Sequence, residues 1–469
     1  MIDPSSLPPR ISDIVRRHAA RTPDAPALVE GARTWSYGEL QCEVERHAQQ
    51  LRELGVRGGD RVMLVSENCV AQVALLFAIA SLDAWSVNVN ARLSEGELAT
   101  IRAHCMPRCV LYPAAQGEVN AGPLDPSTVP EPVQPDGGQV AALVYTTGTT
   151  GQPKGVMLTH ANLLFVAATS SSLRGLQPSD VASGVLPITH VYGFTSVMLG
   201  TLYAGACLQL APRFSAKALL AHIRAGELTI LQGVPAMYAR LLALAGGAPV
   251  PSRLRFCYAG GSPLDPLLKR EAERMFGLPL HNGYGLSESG PTVSQTRLDA
   301  PRDDTSVGHP IPGVEVHIDA GTGELWVRGP NVMAGYYRDQ AATKAALRPG
   351  GWLATGDVAT MDADGALFIA GRLKELIIRS GFNIYSLEVE TALNSHPAVL
   401  QSAVVGRPAA GGEEEVVAFV ETSSEVDAAA LQDWLQTRLA AYKRPARIVF
   451  MDALPAAPSG KILKSRLPA

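Results

Sequence analysis

The chain has 469 residues, 46% of them hydrophobic, and a formal net charge of −4 at pH 7. That length exceeds one ordinary hydrophobic core and calls for two or more structural units, while the slightly acidic balance excludes the basic footprint of a nucleic-acid binder. No apolar run approaches the roughly eighteen residues of a membrane span, the first residues lack a secretory apolar stretch, and six cysteines scattered through apolar segments read as reduced packing residues of a cytoplasmic protein.

In chain order, Ser36-Tyr37-Gly38-Glu39 is a capping box; Val44, Ala48 and Leu51 share the face of the helix that follows, and Gly55 stands where a C-cap is wanted. Arg61 to Ser66 is a strand, and Val70 to Val89, broken at Asp83 and Asn88, reads as a buried helix followed by a strand. His104, Cys105 and Cys109 have no second ligand pair of suitable spacing, so packing is favoured over a zinc site. Ala114 to Gly138 loses periodicity to proline, glycine and acidic residues and reads as a surface connection. Ala141 to Thr146, Leu228 to Val234 and Leu254 to Ala259 are further strands, alternating with helical stretches in the pattern of parallel sheets covered by helices. Ser262-Pro263 predicts a helix start that Gly277 closes, and Gly260-Gly261-Ser262 just before it is a place where a ligand can approach the backbone. Beyond Gly371-Arg372-Leu373-Lys374 the chain has its own strands (Val416 to Glu421, Ile448 to Met451) and helices (Leu387 to Leu393, Ala428 to Leu439). The expectation is an α/β protein with a large N-terminal domain of stacked helix-covered sheets, residues 1–371, and a small α+β C-terminal domain, residues 372–469.

Directly after the apolar run Val140 to Val144, the chain reads YTTGTTGQPKGV from Tyr145 to Val156. Gly148 and Gly151 allow a sharp turn that brings backbone N–H groups against phosphate oxygens. Thr146, Thr147, Thr149 and Thr150 add hydroxyl donors, and Lys154 adds a positive charge. In the P-loop of NTPases the lysine directly follows the second glycine; here Pro153 precedes Lys154, so this is a phosphate loop of another class.

The segment resembles the AMP-binding signature of the adenylate-forming superfamily, which comprises acyl-CoA synthetases, adenylation domains of peptide synthetases, and luciferases. Other stretches carry the same resemblance, from Pro23-Asp24 and Gly59-Asp60-Arg61-Val62 onward. Asn282-Gly283-Tyr284-Gly285-Leu286-Ser287-Glu288 is similar to the adenine and metal motif. It implies Tyr284 against the adenine face, Asn282 at its amino edge, Ser287 (threonine in most relatives) at the α-phosphate, and Glu288 as the Mg²⁺ ligand. Tyr258 to Pro263, with Gly260, Gly261 and Ser262, resembles the turn lining the adenine and acyl pockets. Thr355-Gly356-Asp357 and Arg372 resemble the ribose ligands. Leu186 to Gly193 resembles the segment that closes His190 over the acyl carboxylate; Leu186 to Gly200 holds no aspartate, which disfavours an amino-acid substrate. Pro455 to Lys461 resembles the C-terminal signature whose lysine enters the active site.

The resemblance implies an acyl-CoA synthetase using ATP, Mg²⁺ and CoA, with Lys461, His190 and Ser287 in catalytic roles. It also implies a mobile C-terminal domain turning about a hinge near Lys374. One pose brings in Lys461 for adenylation; the other brings in the turn Arg379 to Asn383, where Gly381 lets the pantetheine arm pass. The acyl pocket is expected around His190, Tyr192, Phe194, Val234, Tyr258, Gly260, Gly261 and Gly285. That set has no fixed positive charge, so a hydrophobic monoacid, fatty or aryl, is expected. A ligase loading a carrier-protein phosphopantetheine is the alternative. A nucleotide-binding protein without catalysis is disfavoured by Lys461, Glu288 and Asp357. A homodimer stays open.

Overall fold

The computed structural model describes residues 6–134, 136–147, 153–379, 382–409, 414–456 and 462–468. Two large sheets organise the first part of the chain. In the nine-stranded sheet, Leu280–Gly285, Phe256–Ala259, Ile230–Gly233, Val181–Gly184, Cys207–Leu210 and Pro26–Glu30 run parallel, with antiparallel strands at both edges. In the seven-stranded sheet, Arg61–Ser66 lies between Trp85–Asn90 and Cys109–Pro113, and Val140–Thr147 carries the sheet onward to Pro153–Thr159.

Two helices join these sheets into one core. Val70–Ser81 is apolar on every side and buried from Val70 to Ala80, as expected of a helix with no face for water. His160–Leu173 begins with a capping box made by Thr159 and Asn162 and is buried over most of its length. Their side chains share one hydrophobic cluster with Val62, Leu64, Ala142 and Val144 of one sheet and Leu28, Ala182, Ile230 and Tyr258 of the other. Phe77 sits fully buried in that cluster. Truncating it (Phe77→Ala) is expected to cost about 3–5 kcal/mol through lost contacts and a residual cavity, read as a lower thermal or urea midpoint; an unchanged midpoint would count against this core.

The capping box at Ser36 and the strand Arg61–Ser66 stand as expected, with Leu54 as C-cap and Gly55 left-handed just beyond it. All six cysteines are free. Two local readings are corrected. The stretch read as a surface connection without periodicity contains a mostly exposed edge strand, Val119–Leu124, antiparallel to Cys109–Pro113. The helix expected from Ser262 is Pro266–Phe276 instead: the Asp265 carboxylate, one turn later, accepts from the N–H groups of Leu267 and Leu268 at 2.8 and 2.9 Å and caps it. Gly277 ends that helix in the left-handed region, as expected.

A five-stranded sheet containing Glu324–Arg328, Trp352–Met361 and Leu367–Arg372 follows, and then a smaller α+β unit. In that unit the helices Ser386–Asn394 and Ala428–Gln436 pack on the strands Val399–Pro408 and Glu414–Thr422. Among the described residues, no helix is long and apolar enough to cross a membrane.

Candidate active site

The strands that flank the phosphate-loop segment, Val140–Thr147 and Pro153–Thr159, pair antiparallel, with Thr146 opposite Lys154. Gly148, Thr149, Thr150, Gly381 and Lys461 lie outside the described residues, as does the side chain of Thr147. At the hairpin base, the Lys154 ammonium lies 5.0 Å from the centroid of the Tyr336 ring. The Tyr336 hydroxyl donates to Glu288 Oε1 at 2.8 Å. Burial and the Glu288 carboxylate raise the Tyr336 pKa, so it stays a donor. The hairpin's cation and the acidic turn thus share one tyrosine.

A second trio stands on the neighbouring strands. Asp357, 4% exposed, accepts from the Tyr284 hydroxyl at 2.6 Å and pairs with Arg372 Nε at 2.9 Å. Strand register produces this meeting, because Asp357 and Arg372 are opposed across the antiparallel pair Trp352–Met361 and Leu367–Arg372. The Thr355-Gly356-Asp357 turn is held from beneath, with Gly356 N donating to Glu324 Oε1 at 2.8 Å and Asp357 N to Thr355 Oγ1 at 3.1 Å. Burial opposes the Arg372 charge, but Asp357, followed by Glu375, Tyr284 and Glu288, outweighs it and raises the pKa. Arg372 therefore feels both trios at once.

Glycine is demanded where these pieces touch. A Cβ on Gly283 would lie 1.7 Å from the Tyr258 hydroxyl and 2.8 Å from the Ser294 carbonyl, and one on Gly285 would lie 1.8 Å from the Pro291 carbonyl. Ser287 is buried in the short turn that follows, Ser287–Ser289. The Asn282 amide braces the turn, its Nδ2 donating to the Thr305 and Ser306 carbonyls at 3.2 and 3.1 Å and its Oδ1 accepting from Gly283 N at 3.0 Å.

Gly260 and Gly261 end the strand Phe256–Ala259 beside Tyr192, Tyr258 and Val234; Cβ atoms built on them would meet those side chains at 3.4–4.0 Å. Ser262, half-buried, follows. His190 is exposed at the rim, its Nδ1 accepting from Tyr192 N at 3.3 Å, and Tyr192–Leu199 is a widened helical turn of the kind frequent at functional sites. The residues expected to form the acyl pocket include no fixed positive charge, but a buried one lies against one of their rings. Arg174, 1% exposed, lies with its guanidinium carbon 4.2 Å from the Tyr258 ring centroid. At the end of an apolar helix it reads as a charge favouring the C-terminal dipole, and only the fold turns it inward.

Tyr336 also escaped notice, since its link to Glu288 arises from a two-residue strand, Gly335–Tyr336, pairing far along the chain with Pro153–Thr159. Near the C-terminus, Lys464 bridges Glu375 and Glu390, each at 2.8 Å. Burial works against this charge, but the two carboxylates outweigh it and raise the pKa.

A metal fits the donor set in one way. Among the described residues, no group of three His, Cys, Asp or Glu side chains could cage an ion, so Mg²⁺ would rest on the Glu288 carboxylate together with nucleotide phosphates and water, its usual mode.

The AMP-binding enzyme family profile matches residues 15–337, and that of the AMP-binding enzyme C-terminal domain matches residues 388–461. A feruloyl-CoA synthase of an Amycolatopsis species is 35% identical, with 96% of this chain and 97% of that protein covered. A 2-succinylbenzoate–CoA ligase of Geobacillus kaustophilus is 34% identical, with 97% and 96% covered. The solved o-succinylbenzoate coenzyme A synthetase of Bacillus subtilis, in complex with ATP and magnesium ion, superposes with a TM-score of 0.86 at 29% identity, covering 97% of this chain and 98% of that one. With the hairpin, the acidic turn and the aspartate–arginine pair at one site, the chain belongs to the AMP-binding enzyme family, as an ATP-dependent, AMP-forming CoA ligase.

Proposed function

We propose that this ligase activates a compact hydrophobic carboxylic acid, aryl or fatty, and passes it to CoA. The acid's carboxylate oxygen attacks the α-phosphorus of ATP, pyrophosphate leaves, and the CoA thiol then attacks the acyl carbon of the adenylate and expels AMP. The observation that carries the reading is the pairing of Lys154, Tyr336 and Glu288 on one side with Tyr284, Asp357 and Arg372 on the other. A polyphosphate needs the first set and a ribose diol the second.

In this scheme the hairpin threonines and Lys154 hold the β- and γ-phosphates, and Ser287 meets the α-phosphate. Mg²⁺, when bound at Glu288, offsets phosphate charge. Asp357 and Arg372 hold the ribose, and the Tyr284 ring faces the adenine. His190 closes over the acyl carboxylate. Lys461 stabilises the charge that grows on the oxygens at phosphorus, and Gly381 leaves room for the thiol arm. We place the domain boundary at 371/372 with the hinge near Lys374, a division supported by the separate family matches at 15–337 and 388–461. Six free cysteines support a reducing, cytoplasmic setting.

CoA-dependent AMP release against a panel of acids tests the reading; no release with any acid, in folded protein, would sink it. Gly261 gives a sharper check of the pocket. It is exposed at the pocket wall, with Val234 Cγ1 3.5 Å from where a Cβ would stand. Gly261→Leu is expected to shorten the accepted acid or exclude rings, and an unchanged substrate profile would remove this residue from the wall.

A further inference from the structure

Arg174 caps the helix His160–Leu173, and its side chain is buried. The carboxylate nearest to it in sequence, Asp180, is taken by Arg255. Arg174 Nη1 donates to Gln232 Oε1 at 2.6 Å and, at 3.4 Å, to the Ser196 carbonyl. Among the described residues Nε has no hydrogen-bond partner, and neither do Gln232 Nε2 and the Tyr192 hydroxyl, all three buried. The pattern has a sign. The guanidinium has already used the acceptor of Gln232, and the buried atoms left over are two N–H donors and a hydroxyl able to donate.

These groups gather behind the pocket glycines. The Tyr192 and Tyr258 rings stand edge to face at 6.3 Å, both flank Gly260, and the guanidinium lies over the Tyr258 face. Buried donors are nearly always paired, and a buried guanidinium without a carboxylate is costly to keep. Apolar side chains would fill this space more stably, so the donors' persistence suits a ligand group that arrives with its own acceptor.

Building on the acyl pocket proposed above, we propose that Arg174, with Gln232 and Tyr192, determines specificity by binding an oxygen acceptor at the far end of the acid. The preferred substrate is an acid with a hydroxyl, carbonyl or second carboxylate distal to the reacting carboxylate, rather than a bare hydrocarbon acid. The guanidinium supplies charge as well as donors, so anionic and neutral acceptors share the site's chemistry and are told apart by assay.

The test uses the full-length enzyme and CoA-dependent AMP release on benzoic, cinnamic and octanoic skeletons, each bare, with a terminal hydroxyl, or with a terminal carboxylate. On the best skeleton an oxygen-bearing acid is expected to exceed its bare counterpart by about tenfold or more in kcat/KM, as a site built of donors discriminates. Arg174→Met and Tyr192→Phe are expected to pull that ratio toward one by raising KM for the oxygen-bearing acid more than for the bare acid. Should Arg174→Met fail to fold, Tyr192→Phe, which removes a single unpaired hydroxyl, carries the same ratio test. A bare acid used as well as its oxygen-bearing counterparts, or equal loss on all acids in folded variants, overturns the inference while leaving the ligase reading intact. No AMP release on any skeleton overturns both.

Discussion

Asp357→Ala is expected to weaken ATP binding by about 1.5–3 kcal/mol, roughly ten- to a hundredfold, the usual worth of a hydrogen bond to a charged group. The carboxylate is nearly inaccessible and already accepts from Tyr284 and Arg372, yet each of its oxygens has a second lone pair for a ribose hydroxyl. Its removal would strip the proposed diol of its acceptor and leave the Arg372 charge without its partner. Tyr284→Phe is the control: it deletes one hydroxyl, keeps the ring for the adenine face, and should cost less. Titration calorimetry with ATP, alongside a melting curve for each variant, reads the effect. Parental ATP affinity in a folded Asp357→Ala protein would show that the ribose sits elsewhere.

The largest effect on rate is expected at Lys461. An ammonium placed where charge accumulates on the phosphate oxygens is worth about 10²–10³ in rate for one preorganised donor. By the thiol step pyrophosphate has gone, and with it most of the negative charge that this donor offsets. Lys461→Ala should therefore lose most acid-dependent pyrophosphate exchange yet convert supplied acyl-adenylate and CoA to thioester. Gly381→Leu should do the reverse, sparing exchange and blocking thioester formation. Equal damage to both half-reactions by each substitution would favour a single fixed pose over alternation.

Much of this site was legible because its glycines answer to the backbone. Gly283 and Gly285 stand where a Cβ would overlap a hydroxyl or a carbonyl, and Gly193 where one would lie 2.2 Å from the Pro187 carbonyl. Such positions mark the sequence whatever surrounds them. The aspartate–arginine pair was readable by resemblance, and strand register brings it together. Other features depend on folding at long range. Nothing local separates Arg174 from a solvated residue at a helix end, and Asn282 looks free until the Thr305–Ser306 backbone arrives to accept its N–H groups. The early start predicted for the helix Pro266–Phe276 has a nearer cause, since Ser262-Pro263 and Asp265-Pro266 are equivalent cap signals three residues apart and the second makes the cap hydrogen bonds.

The bridge from Lys464 to Glu375 and Glu390 constrains reach. Three peptide units separate Lys464 from Lys461, so their α-carbons can be no more than about 11 Å apart in any conformation. Glu375 closes the short turn Leu373–Glu375 that follows Arg372. The short turn Lys464–Arg466 is therefore tied to the Arg372–Glu375 segment, and its ordering entropy is spent when the bridge forms rather than at each turnover.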